Sequence, residues 1–383
     1  MNGLARKRLK AAQLVLVVLV VCWQPRVDTR VAEAENAAQR KAPLEALIVD
    51  PVDITPKKVV AWKSEGFKLV VLTLDERFEP ATYENAARII AAESLDLYYW
   101  IEVARNTTFA QEHPEWMASL GTHDDWRTRF PDTPKLKDGE VAKAWPWTPI
   151  AYRQAFDAHV ERIARLLRRV PDNYRGLLLN DLQGGPSSCG CGNLQCRWAI
   201  DYGVPSTTDR SDGADVASRF ITEVRTLAAG KDVIPVWTTE CEEHDLTTET
   251  QPHRGWSTGY CGGVECFNHQ CPLKFTEQWQ ALHATHRGPT GVLLLQKEFQ
   301  RDRKEYGAPA NWITSAIKSL DEQKPGPVPR NQLWLVVQGD GARPGEEAAA
   351  RQAALRLEPA AVLVARTRID QSFEPRLINT KPK

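Results

Sequence analysis

The sequence has no excess of charge: its 383 residues hold 49 Lys and Arg against 49 Asp and Glu. Without a basic surplus little counterion release is available to drive binding to nucleic acid. No basic tract occurs beyond the N-terminus, so nucleic acid is not an expected partner. No G-x-G-x-x-G follows the first strand pattern and no P-loop is present, which leaves nucleotide binding unsupported. H-E-x-x-H is absent too, so a zinc-protease helix is not expected. The apolar stretch at residues 11–23, AAQLVLVVLVVCW, is shorter than the ~20 residues that span a bilayer.

That stretch fits a targeting segment better. Arg6, Lys7, Arg8 and Lys10 precede it and Ala32-Glu33-Ala34 follows, the order of a secretory signal with a small-x-small cleavage site. Residues 1–34 are expected to be a signal peptide, or an N-terminal membrane anchor if uncleaved. Any membrane association would run through this segment. The protein is expected to be exported: periplasmic, extracellular or membrane-anchored. Export sets the chemistry of the seven cysteines beyond it, Cys189, Cys191, Cys196, Cys241, Cys261, Cys266 and Cys271. In an oxidising compartment they default to disulfides. A structural zinc is the alternative, although C-x-C-x4-C and C-x4-C-x4-C differ from the C-x2-C ribbon. No other cofactor is expected.

The rest is an ordinary globular composition, 42% hydrophobic, expected to form one domain over residues 44–370. Short apolar runs bounded by Gly, Pro or charge mark strands at Leu44–Val49, Lys68–Leu74, Asp96–Val103, Arg175–Asn180, Val233–Thr238, Gly291–Gln296, Leu333–Gln338 and Ala361–Arg366. Helical patterns lie between them at Pro56–Glu65, Tyr83–Ser94, 151–170, Asp212–Ala229, Leu273–Thr285, Asn311–Glu322 and Gly345–Leu357. In 151–170 the apolar stripe reads Phe156, Val160, Ile163, Leu167 and Val170. Strands alternating with helices predict an α/β protein of the (β/α)8 TIM-barrel class. An open doubly wound sheet is the rival. Long loops follow strands three, four and five, at residues 104–148, 181–211 and 239–272, on the face where barrels hold their sites. The tail after Asp370 is expected to be a loose end.

Carboxylates crowd the strand ends: Asp50, Asp75 and Glu76, Glu102, Asp181, Glu240, Glu242 and Glu243, Glu298, and Asp340. Two carboxyls facing each other across a cleft are what glycoside hydrolysis requires, one donating a proton and one attacking or activating water. Asp181 and Glu240 lead as catalytic candidates, with Asp340 and Glu298 behind them. Glu102, Arg105, Asn106, Asn180 and Trp237 are candidate substrate contacts. So are His113 and Trp116, which with His123, Asp124, Asp125 and Trp126 have the make-up of a sugar subsite. The 13 Trp, against 10 Phe and 8 Tyr, suit stacking on sugar rings as well as packing. Glu242 and His244 beside Cys241 leave a metal-dependent hydrolase as a weaker alternative.

The segment 176–203, with its strand, Asn180-Asp181, glycine-rich cysteine loop, Trp198 and Asp201-Tyr202-Gly203, resembles the fourth-strand region of clan A glycoside hydrolases. Within them it is most similar to the bacterial β-galactosidases of family forty-two. Ala104-Arg105-Asn106 with His113-Pro114-Glu115-Trp116 looks like the exported glycosidase-like barrels of bacteria. The resemblance implies a TIM barrel acting on carbohydrate. It also marks two departures: Asp181 stands where that family carries its acid/base Glu, and Gln338 stands at its nucleophile position, with Asp340 two residues on. A non-catalytic carbohydrate-binding or envelope-associated barrel is therefore the rival reading.

Overall fold

The computed structural model describes residues 42–117, 132, 134–135, 137, 139–150, 153–180, 182, 211–238, 240–241, 255–256, 260–261, 273–274, 286–294, 328–342, 345–369 and 374–379. Of 153, 211–215, 237–238 and the four residue pairs between 240 and 274, the backbone alone is described. The strands are β1 (Leu44–Val49), β2 (Leu69–Thr73), β3 (Asp96–Glu102), β4 (Glu140–Trp145), β5 (Gly176–Asn180), β6 (Asp232–Thr238), β7 (Glu240–Cys241), β8 (Gly255–Trp256), β9 (Tyr260–Cys261), β10 (Leu273–Lys274), β11 (Thr290–Leu294), β12 (Leu333–Gln338), β13 (Ala361–Ala365) and β14 (Glu374–Asn379). The helices are α1 (Pro56–Ser64), α2 (Pro80–Ala92), α3 (Thr107–Glu112), α4 (Arg153–Leu167), α5 (Ser211–Leu227) and α6 (Glu346–Arg356).

Strands β1, β2, β3, β5, β6, β11, β12 and β13 form a closed barrel, each beside its sequence neighbour and β13 beside β1. Every barrel pairing is parallel. With helices α1, α2, α4, α5 and α6 on the described crossovers this is the (β/α)8 barrel, and closure excludes the open sheet. Its strands read as near-continuous apolar runs, such as LVVLT and LWLVVQ, because both faces are buried. Alternation then sorts the side chains into two cores. Ala46, Ile48, Leu69, Val71, Tyr98, Trp100, Leu178 and Val336 fill the barrel. Leu47, Val49, Val70, Leu72, Tyr99, Leu177 and Leu179 face the helices.

Close strand approach depends on glycine at one seam. A Cβ on Gly176 would lie 2.6 Å from both the Asp232 carbonyl oxygen and Tyr98 Cε1, so β5 admits no side chain there. The turn into α1 has a familiar local cause: Thr55 Oγ1 accepts from the Lys58 amide at 3.3 Å, and Pro56 occupies the first turn.

Three findings depart from the sequence reading. The tail after Asp370 is not a loose end: β14 pairs antiparallel with β4 along its whole length, from Glu374 beside Trp145 to Asn379 beside Glu140. Neither strand has a long apolar run, so neither stood out alone. Leu273-Lys274, expected to open a helix, instead forms β10 and pairs antiparallel with β7; the rest of that helix, and the one at 311–322, lie outside the described residues. The buried face of α4 is also rotated from the expected stripe. Ala155, His159, Arg162, Ile163 and Leu166 are buried, while Phe156, Val160, Leu167 and Val170 are only partly so.

Candidate active site at the barrel mouth

At the C-terminal end of the barrel the inward side chains change from apolar to polar within one step. Ile48 is followed inward by Asp50, Val71 by Thr73, Trp100 by Glu102, Leu178 by Asn180, Val336 by Gln338 and Ala365 by Thr367. Asn180 is fully buried, and Thr73, Gln338 and Thr367 are nearly so. Glu102 and Asp50 keep partial access to solvent.

Glu102 is the most constrained of these groups. Trp100, two residues earlier on the same face of β3, fills the barrel beneath it and donates its indole N–H to Glu102 Oε1 at 2.7 Å. From β5, Asn180 Nδ2 donates to Glu102 Oε2 at 2.9 Å. Residues 102 and 180 stand side by side in the strand register. Each carboxylate oxygen therefore has one donor among the described residues, and a carboxylate oxygen can accept more than one.

The backbone beneath this carboxylate is held from outside the barrel. Arg162 of α4 is 4% exposed at its side chain and grips Glu76, just past β2, through Nε to Oε1 at 2.7 Å and Nη2 to Oε2 at 3.0 Å. Its Nη1 donates to the Glu102 carbonyl oxygen at 2.9 Å. Burial alone would raise the Glu76 carboxyl, but the hydrogen bonds and charge of Arg162 outweigh it and hold the group below its ordinary 4.5. One turn earlier, His159 is fully buried; its Nε2 faces the Thr148 carbonyl oxygen at 2.7 Å. Burial, with the nearby Arg162 charge, pushes His159 down to about 3. It is a neutral imidazole that donates from Nε2. Sequence reading named neither residue, since both lie within what scans as an ordinary amphipathic helix.

The first two strand ends carry a second polar group. Thr73 Oγ1 donates to Asp50 Oδ1 at 2.5 Å. Arg77 clamps Asp75 through its backbone amide at 2.8 Å and its guanidinium at 2.9 and 2.6 Å.

Other expected site residues have clear local roles. Asn106 is buried and caps α3, its Oδ1 accepting from the Phe109 amide at 2.8 Å. Arg105 is half-buried, and its backbone pairs antiparallel with that of Trp147. His113 stacks on Trp116 with centroids 3.7 Å apart and planes 10° apart, and its Nδ1 lies 3.3 Å from Glu115 Oε1. Gln338 donates from Nε2 to the main-chain oxygen of Asp340 at 3.3 Å, and the Asp340 amide bonds Ala365. Glu240 opens β7 and Trp237 lies in β6, but their side chains, with all of Asp181 and Glu298, lie outside the described residues. So do His123 through Trp126 and the cysteines, except for the backbone of Cys241 and Cys261. Among the described residues no group of three His, Cys, Asp or Glu is arranged to hold a metal ion. No helix among them is long and apolar enough to cross a membrane.

A serine hydrolase is not expected from the sequence for want of a G-x-S-x-G elbow, but that spacing does occur, at Gly255–Gly259. Its first two residues form β8, which pairs antiparallel with β9 directly after the motif, whereas an elbow joins a strand to a helix.

No family model and no curated protein matches the chain. Solved structures that align with it include a chitinase from Chromobacterium violaceum ATCC 12472, at 11% identity and TM-score 0.36, over 78% of this chain and 68% of that one. The catalytic domain of a hyperthermophilic chitinase from Pyrococcus furiosus aligns at 9% identity and TM-score 0.41, over 85% and 83%. Alpha-L-fucosidase isoenzyme 2 from Paenibacillus thiaminolyticus aligns at 11% and 0.43, over 84% of this chain and 46% of its own. These are likenesses of chain course alone. The class of this protein, a (β/α)8 barrel, is established by its own strand order and closure.

Proposed function

We propose that this chain is an exported barrel of the glycoside-hydrolase type, acting on an oligo- or polysaccharide by carboxylate chemistry. The observation that carries the reading is Glu102, fixed through both oxygens at the C-terminal end of a closed barrel, where Asp50, Thr73, Asn180 and Gln338 end other strands of the same barrel. These residues offer acceptors and amides suited to sugar hydroxyls. In this reading Asp181, next in the chain after Asn180, protonates the leaving oxygen. Glu240, just past β6, supplies the second carboxylate, with Asp340 and Glu298 as the remaining candidates. Glu102 orients the sugar.

The test is turnover of aryl glycosides and polysaccharides by the purified protein beside Asp181→Asn, Glu240→Gln and Glu102→Gln. Hydrolysis abolished by Asp181→Asn supports the reading. Glycan binding without turnover in any form overturns the enzyme and leaves the second reading, a non-catalytic glycan-binding barrel. The observation favouring that second reading is Gln338. The seventh barrel strand presents a buried neutral amide at the mouth, tied to its own loop, where the family resemblance implies a nucleophilic carboxylate.

A further inference from the structure

Resting on the glycan reading above, we infer that the sugar taken by this mouth is an amine-bearing glycan, bound in preference to an acidic one. The inference comes from which charged groups share the mouth layer. Barrel strands are tilted, so one layer of inward side chains is contributed by alternate strands. Asp50 lies one residue past the pairing of Val49 with Leu72, level along the ladder with Thr73, which pairs with Trp100. Stepping two strands across a tilted barrel moves the layer two residues up, to Glu102. Stepping the other way, through the pairings of β1 with β13 and β13 with β12, brings it to Gln338.

Asp50 and Glu102 thus occupy one layer, on strands separated by two spacings of about 4.8 Å, and both point inward. One amine between them would meet two carboxylates. Among the described residues Asp50 has one side-chain donor, Thr73, and Glu102 has two neutral ones, Trp100 and Asn180. Neither charge is neutralised by these partners. No Lys or Arg occupies an inward position at the described strand ends. Arg162 is clamped on Glu76 and Arg77 on Asp75, from where the Arg77 charge also acts on Asp50. A uronate or sulfated sugar would bring a third negative charge beside Asp50 and Glu102, whose hydrogen-bonding neighbours among the described residues are neutral. An ammonium donates three hydrogen bonds to groups that only accept.

The experiment measures equilibrium binding of the intact protein to three oligomers of equal length: fully deacetylated glucosamine, N-acetylglucosamine and galacturonate. Each is measured at low and at physiological ionic strength, below the pKa of the amine. Two partly exposed ion contacts favour the free amine by on the order of tenfold over its acetylated counterpart. The preference shrinks with salt and falls in Asp50→Asn and Glu102→Gln. Thermal melts confirm that both variants fold, and the salt dependence of the unaltered protein tests the inference without any variant. Equal or tighter binding of the acetylated or acidic oligomer overturns the inference while leaving the glycan reading standing. A preference that survives both substitutions overturns it too. Failure of every glycan to bind overturns both.

Discussion

Replacing Arg162 by Leu removes the group that ties the ends of β2 and β3 together. The guanidinium makes two hydrogen bonds to the Glu76 carboxylate and one to the Glu102 carbonyl oxygen. Hydrogen bonds to charged groups contribute about 1.5–3 kcal/mol and neutral ones about 1 kcal/mol. The Glu76 side chain is 47% exposed, so water screens its share and the lower end applies to that pair. Leucine recovers some apolar burial but leaves the carbonyl without this donor. The net loss is about 2–4 kcal/mol. At about 2.1 cal/mol/K per residue of unfolding entropy, a unit of this size, Pro43–Lys383, loses roughly 3–6 °C in Tm by scanning calorimetry. Because folding depresses the Glu76 pKa, the pair's contribution is fully present above 4.5 and disappears as pH falls through the lower folded value. The gap between wild type and Arg162→Leu should therefore close in acid. A variant that melts within about 1 °C of wild type at neutral pH, or a gap that widens in acid, would refute this account of the β3 end.

Three further outcomes follow from the same structure. The His159 ring, buried and neutral down to about 3, should show no NMR titration between pH 5 and 8, where an ordinary His protonates. Since its unfolded form binds a proton below about 6.5, it makes the fold less stable as pH falls from there, and His159→Gln should flatten that slope in denaturant midpoints. Gly176→Ala should destabilise the barrel by about 1–3 kcal/mol through overpacking, because its Cβ would lie 2.6 Å from the Asp232 carbonyl; an unchanged urea midpoint would contradict the close approach of β5 and β6. Deleting residues 370–383 should strip β14 from β4 and open Glu140–Trp145 to limited proteolysis, whereas an unaltered digestion pattern would show that the pairing protects nothing.

The barrel was legible because its strands are buried on both faces: runs such as LVVLT and AVLVA are hard to read otherwise. Strand ends were legible for the same reason, since the first polar residue after each run marks the mouth, as at Asn180 and Glu102. Pairings between distant, half-exposed segments were not. β4 (EVAKAW) and β14 (EPRLIN) are individually unremarkable, and only their meeting in space makes them strands. The support beneath Glu102 was hidden for a different reason. His159 and Arg162 are polar, so a search for an apolar stripe in α4 passes over them, yet they face the protein because the strand ends they meet offer carbonyl and carboxylate acceptors. Asn106 has the residue type of a substrate contact and also the position of a helix cap, and its spacing to Phe109 made the cap legible.

The central claim is that the mouth around Glu102 receives a sugar. A crystal structure of the protein soaked with a glucosamine oligomer tests it most directly. The expected result is a sugar ring at the C-terminal end of the barrel, with a hydroxyl or amine within hydrogen-bonding distance of Glu102, and loss of that density in Glu102→Gln. A ring bound only away from this layer, or one that stays in place when Glu102 is neutralised, would contradict it.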